Sequence, residues 1–361
     1  MVNKKIYILH SFNARPYFES VEYYAKKNNI KVEYRETNWF KSIVKLLLGK
    51  KCINCNLKSI LRNLVFCLQV PFMKNETIIY GTAPYDFRFL WYSILKNRNN
   101  FVYHTSHHKW GEDDKSVFLY GIFTPVVKFF WQKILKSQNI KVVSVTKESK
   151  MTLENNFELS VKVHQIYHSI NLERFHTENK KKSDKLKILF VGRLVYEKGL
   201  DILVQVIQNL DKEKFEFTIV GDGNYKEKIS YIFKNENVHY MGWISDKDKI
   251  ASIFKEHDIL LNPSIKHKDW EELFGIVNIE AMACGVIVIA SNHIGPKEII
   301  DDGVNGFLVP ENNAQLIINK LNLLYKNREM ITQISNKAIK RANDFSVKNI
   351  ANQWREIINE K

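Results

Sequence analysis

The stretch Trp270–Glu298, WEELFGIVNIEAMACGVIVIASNHIGPKE, decides the fold of the second half of the chain. The run Ala281–Gly285 is small and apolar, and a helix that starts at Gly275 and ends at Gly285 is capped in the expected way. We therefore predict a helix that begins at Gly275, contains Glu280 and ends at Gly285. Glu272 precedes this helix and is assigned to the loop at its N-terminus.

One interpretation of Glu272 and Glu280 is that both are solvated surface acids, because most glutamates are exposed. The neighbours of Glu280 argue against that interpretation, because Ile279 and Ala281–Ala283 form an apolar setting. An unpaired carboxylate is costly in such a setting. The sequence therefore favours a functional role for this pair.

Glycines and cations follow two other predicted strands. Gly192-Arg193 comes directly after Leu186–Val191, and Lys198-Gly199 opens the next helix. Two cations and a helix N-terminus thus lie at one strand end, where a diphosphate can bind. Gly221-Asp222 ends the next strand, and its glycine lets the backbone approach a nucleotide.

Together these segments resemble a known family, the retaining, nucleotide-sugar-dependent glycosyltransferases of the GT-B fold (family 4 type, glycosyl transferases group 1). The spacing of Glu272 and Glu280 is similar to the Glu-x7-Glu signature of that family. The resemblance extends to Val191–Leu194, Glu197–Gly199, Gly295–Glu298 and Asp302–Phe307. It covers roughly the second half of the chain, and the first half matches only weakly.

The resemblance implies a donor site in the second half. Glu280 would accept hydrogen bonds from ribose hydroxyls, and Glu272 would hold the donor sugar and stabilise positive charge at its anomeric carbon. Arg193 and Lys198 would bind the diphosphate that leaves. The remaining nucleotide-binding positions would be Gly192, Gly221, Asp222, Phe274, Gly275, Ile276 and Val277. The loop Ile265–Glu271 is longer than is usual in the family, and we expect it to contact donor sugar or acceptor.

A histidine ends the predicted strand Asn100–His104, and such a position faces the ligand crevice of an open α/β sheet. The resemblance implies that His104 contacts the sugar or the acceptor, with His107 as the second choice. We assign His107 and Arg15 an acceptor-side or secondary role. The alternatives are that the clustered histidines are solvated or pair locally. A zinc site lacks an evident fourth ligand, so no metal is predicted.

Strand-like and helical segments alternate along the chain, which predicts an α/β protein with parallel sheets. The resemblance implies the GT-B fold, two Rossmann-like domains facing across a cleft. We predict an acceptor-binding domain at 1–178, with a terminal helix at 346–361 packing back on it, and a donor-binding domain at 179–345. A length of 361 residues suits two domains.

Charge is distributed unevenly. The net charge is +15, and residues 1–178 hold 27 basic and 14 acidic side chains, whereas residues 179–361 hold 27 and 25. A basic first half predicts an anionic partner there: nucleic acid, anionic lipid or a phosphorylated acceptor. The alternative is an AT-rich genome that favours lysine and asparagine.

Cysteine usage and hydropathy limit the cellular setting. Four cysteines in a chain of this length indicate a reducing, cytoplasmic protein without disulfides. Cys52 and Cys55 form a lone CxxC, which we interpret as accidental. No run of eighteen apolar residues is present, so the sequence predicts no membrane-spanning helix.

Residues 38–51, NWFKSIVKLLLGKK, carry aromatic and aliphatic side chains at helical spacing with lysines at the edge. This pattern is typical of an interfacial helix on an anionic membrane surface. It fits equally an amphipathic core helix with a solvated lysine face. A second apolar run at 57–73 either packs with the first or extends the same surface.

The most favoured function is a retaining, metal-independent hexosyltransferase (EC 2.4) that uses a UDP- or GDP-sugar. The acceptor is expected to be a lipid-linked saccharide, in cell-surface polysaccharide or glycolipid synthesis, at the cytoplasmic face of the membrane. Retention would proceed by same-face attack within an ion pair. One alternative is a nucleotide-sugar epimerase or phosphorylase on the same scaffold. A basic nucleic-acid-binding protein ranks last, because it leaves the carboxylate and cation set unexplained.

Overall fold

The computed structural model describes residues 5–10, 14–37, 57–110, 123–178, 183–268 and 270–359. The segment 38–51 therefore lies outside the described residues, as does most of the loop before Arg15. The chain divides into two compact units, one formed by Met1–Ser169 with Ile350–Lys361 and the other by Ile170–Asn349. Each unit has a six-stranded parallel sheet, so the predicted α/β architecture is confirmed.

The first unit has a sheet with the strand order β2-β1-β3-β4-β5-β6. Its strands are β1 (Lys5–His10), β2 (Lys31–Glu36), β3 (Thr77–Gly81), β4 (Asn100–Thr105), β5 (Lys141–Ser144) and β6 (Val163–Gln165). Its helices are α1 (Glu19–Lys27), α2 (Leu57–Gln69), α3 (Arg88–Tyr92), α4 (Thr124–Leu135) and α5 (Lys147–Asn156), with 3-10 turns at Arg15–Tyr17, Val70–Phe72 and Ser93–Asn97.

Alternating strand residues divide the first unit into two apolar cores, one on each face of its sheet. One face, with Tyr80 and Tyr103, packs against helices α2 to α5. The other face, with Ile8 and Ile79, packs against α1 and the terminal helix that includes Trp354. Both faces of the sheet are thus covered, as parallel strands require.

The second unit has the strand order β12-β11-β10-β7-β8-β9, which is the Rossmann order 3-2-1-4-5-6. Its strands are β7 (Leu186–Val191), β8 (Phe215–Val220), β9 (Val238–Gly242), β10 (Ile259–Asn262), β11 (Ile287–Ser291) and β12 (Phe307–Val309). Its helices are α6 (Leu200–Gln208), α7 (Lys226–Ile229), α8 (Lys247–Lys255), α9 (Ile276–Ala283), α10 (Ile294–Ile299), α11 (Ala314–Lys326) and α12 (Arg328–Asp344), with 3-10 turns at Tyr196–Lys198 and Ser230–Lys234. The last helix, α13 (Val347–Asn359), returns the chain to the first unit.

The predicted glycine-capped helix is α9, and its cap explains why it ends where it does. Gly285 has φ 71°, in the left-handed region that favours glycine. Its N–H donates to the Met282 carbonyl at 3.0 Å, and the Val286 N–H donates to the Ala281 carbonyl at 3.0 Å. These are the two hydrogen bonds of a Schellman motif, which turns the chain directly into β11.

The first unit ends at Ser169, nine residues before the boundary placed after residue 178. Ile170 forms a β-bridge with Ser346, and the ring of Phe175 lies 6.2 Å from that of Phe254. These contacts tie the segment that starts at Ile170 to the second unit. The return to the first unit begins at Ile350 rather than 346.

A helix that spans a bilayer needs about twenty mostly apolar residues. Within the residues that the structure describes, no helix is both long and apolar enough to cross a membrane.

Candidate active site

The strand order of the second sheet reverses between β7 and β10, because β8 and β9 follow on one side of β7 and β10 to β12 on the other. In open parallel sheets, ligands bind outside the carboxyl ends of the strands at this reversal. Gly192-Arg193 follows β7, and β10 ends at Asn262 before the loop that leads to Glu272 and α9. The donor-site residues predicted in the second half therefore gather at one edge of one sheet.

Lys198 and Glu272 form an ion pair at this edge, between Nζ and Oε2. Both side chains are largely buried, with exposed fractions of 14% and 13%. Lys198 ends the turn Tyr196–Lys198, and Gly199 follows with φ 67°. A Cβ on Gly199 would lie 1.8 Å from the Pro263 carbonyl oxygen, so glycine is required where the two loops touch.

The backbone of Glu272 is held from both sides. Its N–H donates to Nδ1 of His293 at 3.2 Å, and its carbonyl accepts from the Gly295 N–H at 3.0 Å. His293 therefore has an unprotonated Nδ1, and its Nε2 lies 3.2 Å from Oε1 of Glu311. Because Gly295 has no side chain, it can lie against the backbone of Phe274, where a Cβ would come within 2.4 Å.

Glu280 is paired as well. It lies on α9 with an exposed fraction of 5%, and its Oε1 forms an ion pair with Nζ of Lys247, at the start of α8. The Lys247 ammonium lies 5.8 Å from the centre of the Phe175 ring. The pairing offsets the cost of burying this carboxylate among apolar neighbours.

The N-terminus of α9 supplies anion-binding groups. Gly275 precedes the helix with φ 80°, and a Cβ there would lie 2.7 Å from Nδ2 of Asn278. The first N–H groups of a helix, here from Ile276 and Val277, have no acceptor within the helix. Together with the helix dipole they attract negative charge. Phe274 contributes only backbone here, because its ring is buried against Phe345.

Two further loops complete the edge. Gly221 has φ 143°, and a Cβ there would lie 1.8 Å from the Gly192 carbonyl oxygen, so these loops also touch. Arg193 is exposed, and its side chain forms no hydrogen bond or ion pair with the rest of the described chain. Asp222 is exposed, and its carboxylate accepts from the Gly223 N–H at 2.9 Å. Arg193 is therefore a cation available to an anionic ligand.

The long loop before Glu272 places an aromatic ring beside the ion pair. A bridge between His267 and Trp270 folds this loop back on itself. The Trp270 ring centre lies 5.1 Å from the Lys198 ammonium, and the His267 ring packs edge-on against Tyr196 at 4.9 Å. A half-exposed ring next to a cation and a carboxylate is suited to contact a sugar.

The predicted residues of the first half lie in the other unit. His104 is the next-to-last residue of β4, which ends one residue later than predicted, and it is 7% exposed; its ring centre lies 4.9 Å from Phe18 and 5.9 Å from His168. The His107 carbonyl accepts from the Trp110 indole N–H at 3.1 Å. Arg15 pairs with Glu22 at 3.2 Å, and its guanidinium lies 5.2 Å from the Tyr34 ring centre. His104 is thus a core residue at a strand end.

Burial fixes the protonation state of the histidines in that unit. It holds the pKa of His104 well below its usual range, and the neighbouring His168 adds to the effect. Burial also lowers the pKa of His168 to about 3. Burial and the Arg88 guanidinium lower the pKa of His10 to about 4. All three imidazoles are neutral at pH 7, so His104 can accept or donate a hydrogen bond but is not a cation.

Three contacts at the site were not predicted. They are the pairing of Lys247 with Glu280, the position of Trp270 over Lys198, and the hold of His293 on Glu272. Trp270 was visible within the stretch that carries Glu272, but nothing in its spacing gave it a role. Among the described residues, no group of three or more His, Cys, Asp or Glu side chains is arranged to hold a metal ion.

Residues 172–341 match the family model for glycosyl transferases group 1. This region is a group 1 glycosyltransferase domain. The matched range contains both ion pairs, Arg193 and the start of α9, and it lies within the second unit.

Three curated relatives are similar to this chain over 44% to 86% of its length. An uncharacterized 41.2 kDa protein in the cps region of Klebsiella pneumoniae is 38% identical over 44% of this chain and 44% of its own. An uncharacterized glycosyltransferase of Methanocaldococcus jannaschii is 32% identical over 56% and 54%. The poly(ribitol-phosphate) alpha-N-acetylglucosaminyltransferase of Staphylococcus aureus is 24% identical over 86% and 62%. The chain thus spans about half the length of the first two relatives.

Solved structures match both units. A glycosyltransferase from Rickettsia africae has a TM-score of 0.72 at 20% identity and covers 100% of both chains. HepE of Anabaena, solved in complex with UDP, has a TM-score of 0.68 at 16% identity and covers 99% of this chain and 100% of its own. At these identities the likeness shows the fold, and the predicted GT-B class is confirmed.

Proposed function

We propose that this protein is a retaining glycosyltransferase that moves a sugar from a nucleotide-diphosphate sugar to a saccharide acceptor. The observation that carries the proposal is the clustering of Arg193, the Lys198–Glu272 pair and the start of α9 at one strand edge. Positive charge and free amides are what a departing diphosphate needs. A group 1 domain that contains this cluster supports the same reaction class.

The ion pairs suggest how a donor is accepted. A diphosphate oxygen can replace the Glu272 carboxylate as the partner of Lys198, while Arg193 binds the same group from solvent. The exchange releases Glu272 toward the sugar, where it holds hydroxyls and stabilises positive charge at the anomeric carbon. Ribose hydroxyls would compete with Lys247 for Glu280 in the same way. Donor binding therefore replaces the internal ion pairs with contacts to the donor.

Same-face attack within an ion pair fits the carboxylates present. A double-displacement route needs a second carboxylate free to attack the anomeric carbon. Glu280 is paired with Lys247, and Glu271 accepts from the Ile294 N–H at 3.1 Å and lies 3.2 Å from the Lys266 ammonium. The leaving diphosphate would itself remove the proton from the acceptor hydroxyl.

We propose that the reaction needs no metal, because Arg193, Lys198 and the amides of α9 supply the charge that the leaving group requires. UDP is favoured as the carrier because HepE, of the same fold, was solved with UDP. GDP remains the second candidate. His104, with His107 and Arg15 at secondary positions, is proposed to act on the acceptor side.

The acceptor is proposed to be a lipid-linked or phosphorylated saccharide in cell-surface polysaccharide or glycolipid synthesis, reached from the cytoplasmic face of a membrane. The staphylococcal relative is named for a poly(ribitol-phosphate) acceptor, which is a phosphorylated polymer. The basic excess of residues 1–178 supports an anionic acceptor in the first unit.

The test is donor binding and slow donor hydrolysis across UDP-, GDP- and ADP-sugars, with and without EDTA. We expect one nucleotide sugar to bind tightly. We expect its nucleotide to be released at the same rate with and without EDTA. Lys198→Met should weaken donor binding about tenfold or more and slow nucleotide release. Lys214→Met, at the opposite end of β8, is the matched control. If no nucleotide sugar binds, the proposed donor is wrong. If EDTA stops nucleotide release, the proposed metal independence is wrong.

A further inference from the structure

One helical layer of the first unit exposes many large apolar side chains. We define the apolar layer as α2 to α5 with the turns Val70–Phe72 and Ser93–Asn97. Its elements cover the same face of the sheet, because their inner residues join one core cluster that includes Phe66, Phe89 and Trp131. The outer surface of this layer is therefore a single side of the first unit.

Twelve large apolar side chains are exposed on or directly before the elements of the apolar layer. Phe72 is 81% exposed, Leu68 is 66% exposed and Phe129 is 64% exposed. The others are Leu61, Val65, Phe87, Trp91, Ile94, Phe123, Val126, Phe130 and Met151. An exposed apolar set of this size marks an interaction surface rather than ordinary scatter.

The opposite layer of the same sheet is the internal comparison. Among the described residues of α1 and α13, no large apolar side chain is exposed. Both layers cover the same sheet, so the exposure belongs to one side and is not a general property of the unit.

Charge separates the two layers as well. In the apolar layer, the elements before α5 contain six Lys or Arg residues and no Asp or Glu, and α5 adds two basic and two acidic residues. Helices α1 and α13 contain four basic and three acidic residues. Arg35, Lys58 and Arg62 line a groove of about 600 Å³ along α2, together with Leu61 and Val65. The apolar layer is thus cationic almost throughout.

We infer that the apolar layer docks on an anionic lipid bilayer. Apolar side chains on the outer face of helices, with lysine and arginine beside them, are the arrangement that inserts into an interface while pairing with anionic headgroups. A second copy of this layer would bring like charges together, and a nucleic acid would gain little from exposed Leu, Val and Ile. Vesicle binding needs neither donor nor acceptor. It can therefore be absent when donor binding is present, and present when donor binding is absent.

The test is co-sedimentation of the full chain with vesicles of phosphatidylcholine alone or with phosphatidylglycerol added. We expect binding to the anionic vesicles that weakens as salt rises. The double variant Phe129→Ser/Phe130→Ser should weaken it about tenfold or more, because two rings no longer enter the interface. The matched control is Met241→Ser/Trp243→Ser, which removes two exposed apolar side chains from the second unit.

A second pair of variants tests the charge. Lys58→Glu/Arg62→Glu on α2 should weaken binding to anionic vesicles about tenfold or more and remove much of its salt dependence. Lys26→Glu/Lys27→Glu makes the same charge change on α1, at the other face of the sheet, and should have a much smaller effect. Thermal unfolding and nucleotide binding check that each variant is folded.

Three outcomes would overturn the inference. The first is no binding to anionic vesicles at low salt. The second is equal loss in the α1 and α2 variants, which would mean that net charge alone attracts the protein. The third is that the protein does not bind vesicles but self-associates, and that Phe129→Ser/Phe130→Ser abolishes the self-association. That result would assign the layer to a second copy.

Discussion

The two units share a parallel α/β design but differ in how they use glycine. The second unit holds ten of the fourteen glycines. Where the described residues have a left-handed backbone, the second unit uses six glycines, among them Gly199, Gly221 and Gly275, together with Lys268 and Asn312, whereas the first unit uses Asn29, Asn75 and Tyr85. Tight loops that touch at the ends of β7 and β10 need glycine, and such loops bind phosphate groups.

Charge differs in a parallel way. In the second unit the site charges are paired across the strand edge, Lys198 with Glu272 and Lys247 with Glu280. In the first unit, helices α2 to α4 contain five Lys or Arg residues and no Asp or Glu. The difference teaches that one unit is built around a small polar site and the other around an extended surface.

The largest expected effect follows from assigning donor chemistry to the second unit. Glu272→Gln keeps the shape of the side chain but removes the charge that we propose stabilises the developing cation. We expect donor turnover to fall about 10²- to 10³-fold, measured as nucleotide release. Glu227→Gln, on the exposed face of α7, is the control. Full activity in Glu272→Gln would contradict the assignment of donor chemistry to the second unit.

The glycine difference predicts a stability effect of intermediate size. Gly221→Ala places a Cβ 1.8 Å from the Gly192 carbonyl oxygen, so the loops must move apart. We expect the free energy of unfolding to fall by about 3 kcal/mol or more, measured by urea titration. Gly303→Ala is matched, with φ 73° and nothing within 4 Å of the new Cβ, and should cost about 1 kcal/mol. Equal costs would show that the contact between the loops does not matter.

The buried histidines predict how the first unit responds to acid. Because the pKa of His168 falls from 6.5 unfolded to about 3 folded, the unfolded state binds more protons below pH 6.5. The free energy of unfolding should therefore drop as pH falls, by about 2 kcal/mol for this residue between pH 7 and pH 5. His168→Asn should show a shallower decline in unfolding measured at each pH. An unchanged decline would mean that this imidazole is protonated in the fold.

The smallest effect is expected at Trp270, whose ring centre lies 5.1 Å from the Lys198 ammonium. Trp270→Ala should raise the KM for the donor sugar about threefold to tenfold, because one stacking surface is lost. Trp270→Phe should restore most of that loss. Binding of the free nucleotide should not change, and a change there would place the ring at the diphosphate instead.

Sequence patterns predicted much of this structure, and the exceptions have a physical cause. Period and capping located β7 and the glycine-capped α9, because those signals are local. The pairing of Lys247 with Glu280 joins residues 33 positions apart, so it depends on how α8 packs beside α9. The position of Trp270 depends on a loop that folds back, which spacing does not encode. The exposed layer was foreseen only as one of two alternatives for the run at 57–73, because buried and exposed apolar faces look alike in sequence.

The most direct test of the central claim, that Lys198 exchanges Glu272 for a diphosphate, is calorimetric titration of UDP and GDP into the parent and two variants. Lys198→Met should bind the favoured nucleotide about tenfold more weakly or worse, because a charge-assisted contact is lost. Glu272→Gln should bind it at least as tightly as the parent does, because Lys198 no longer has to leave a carboxylate. Equal weakening in both variants would contradict the exchange.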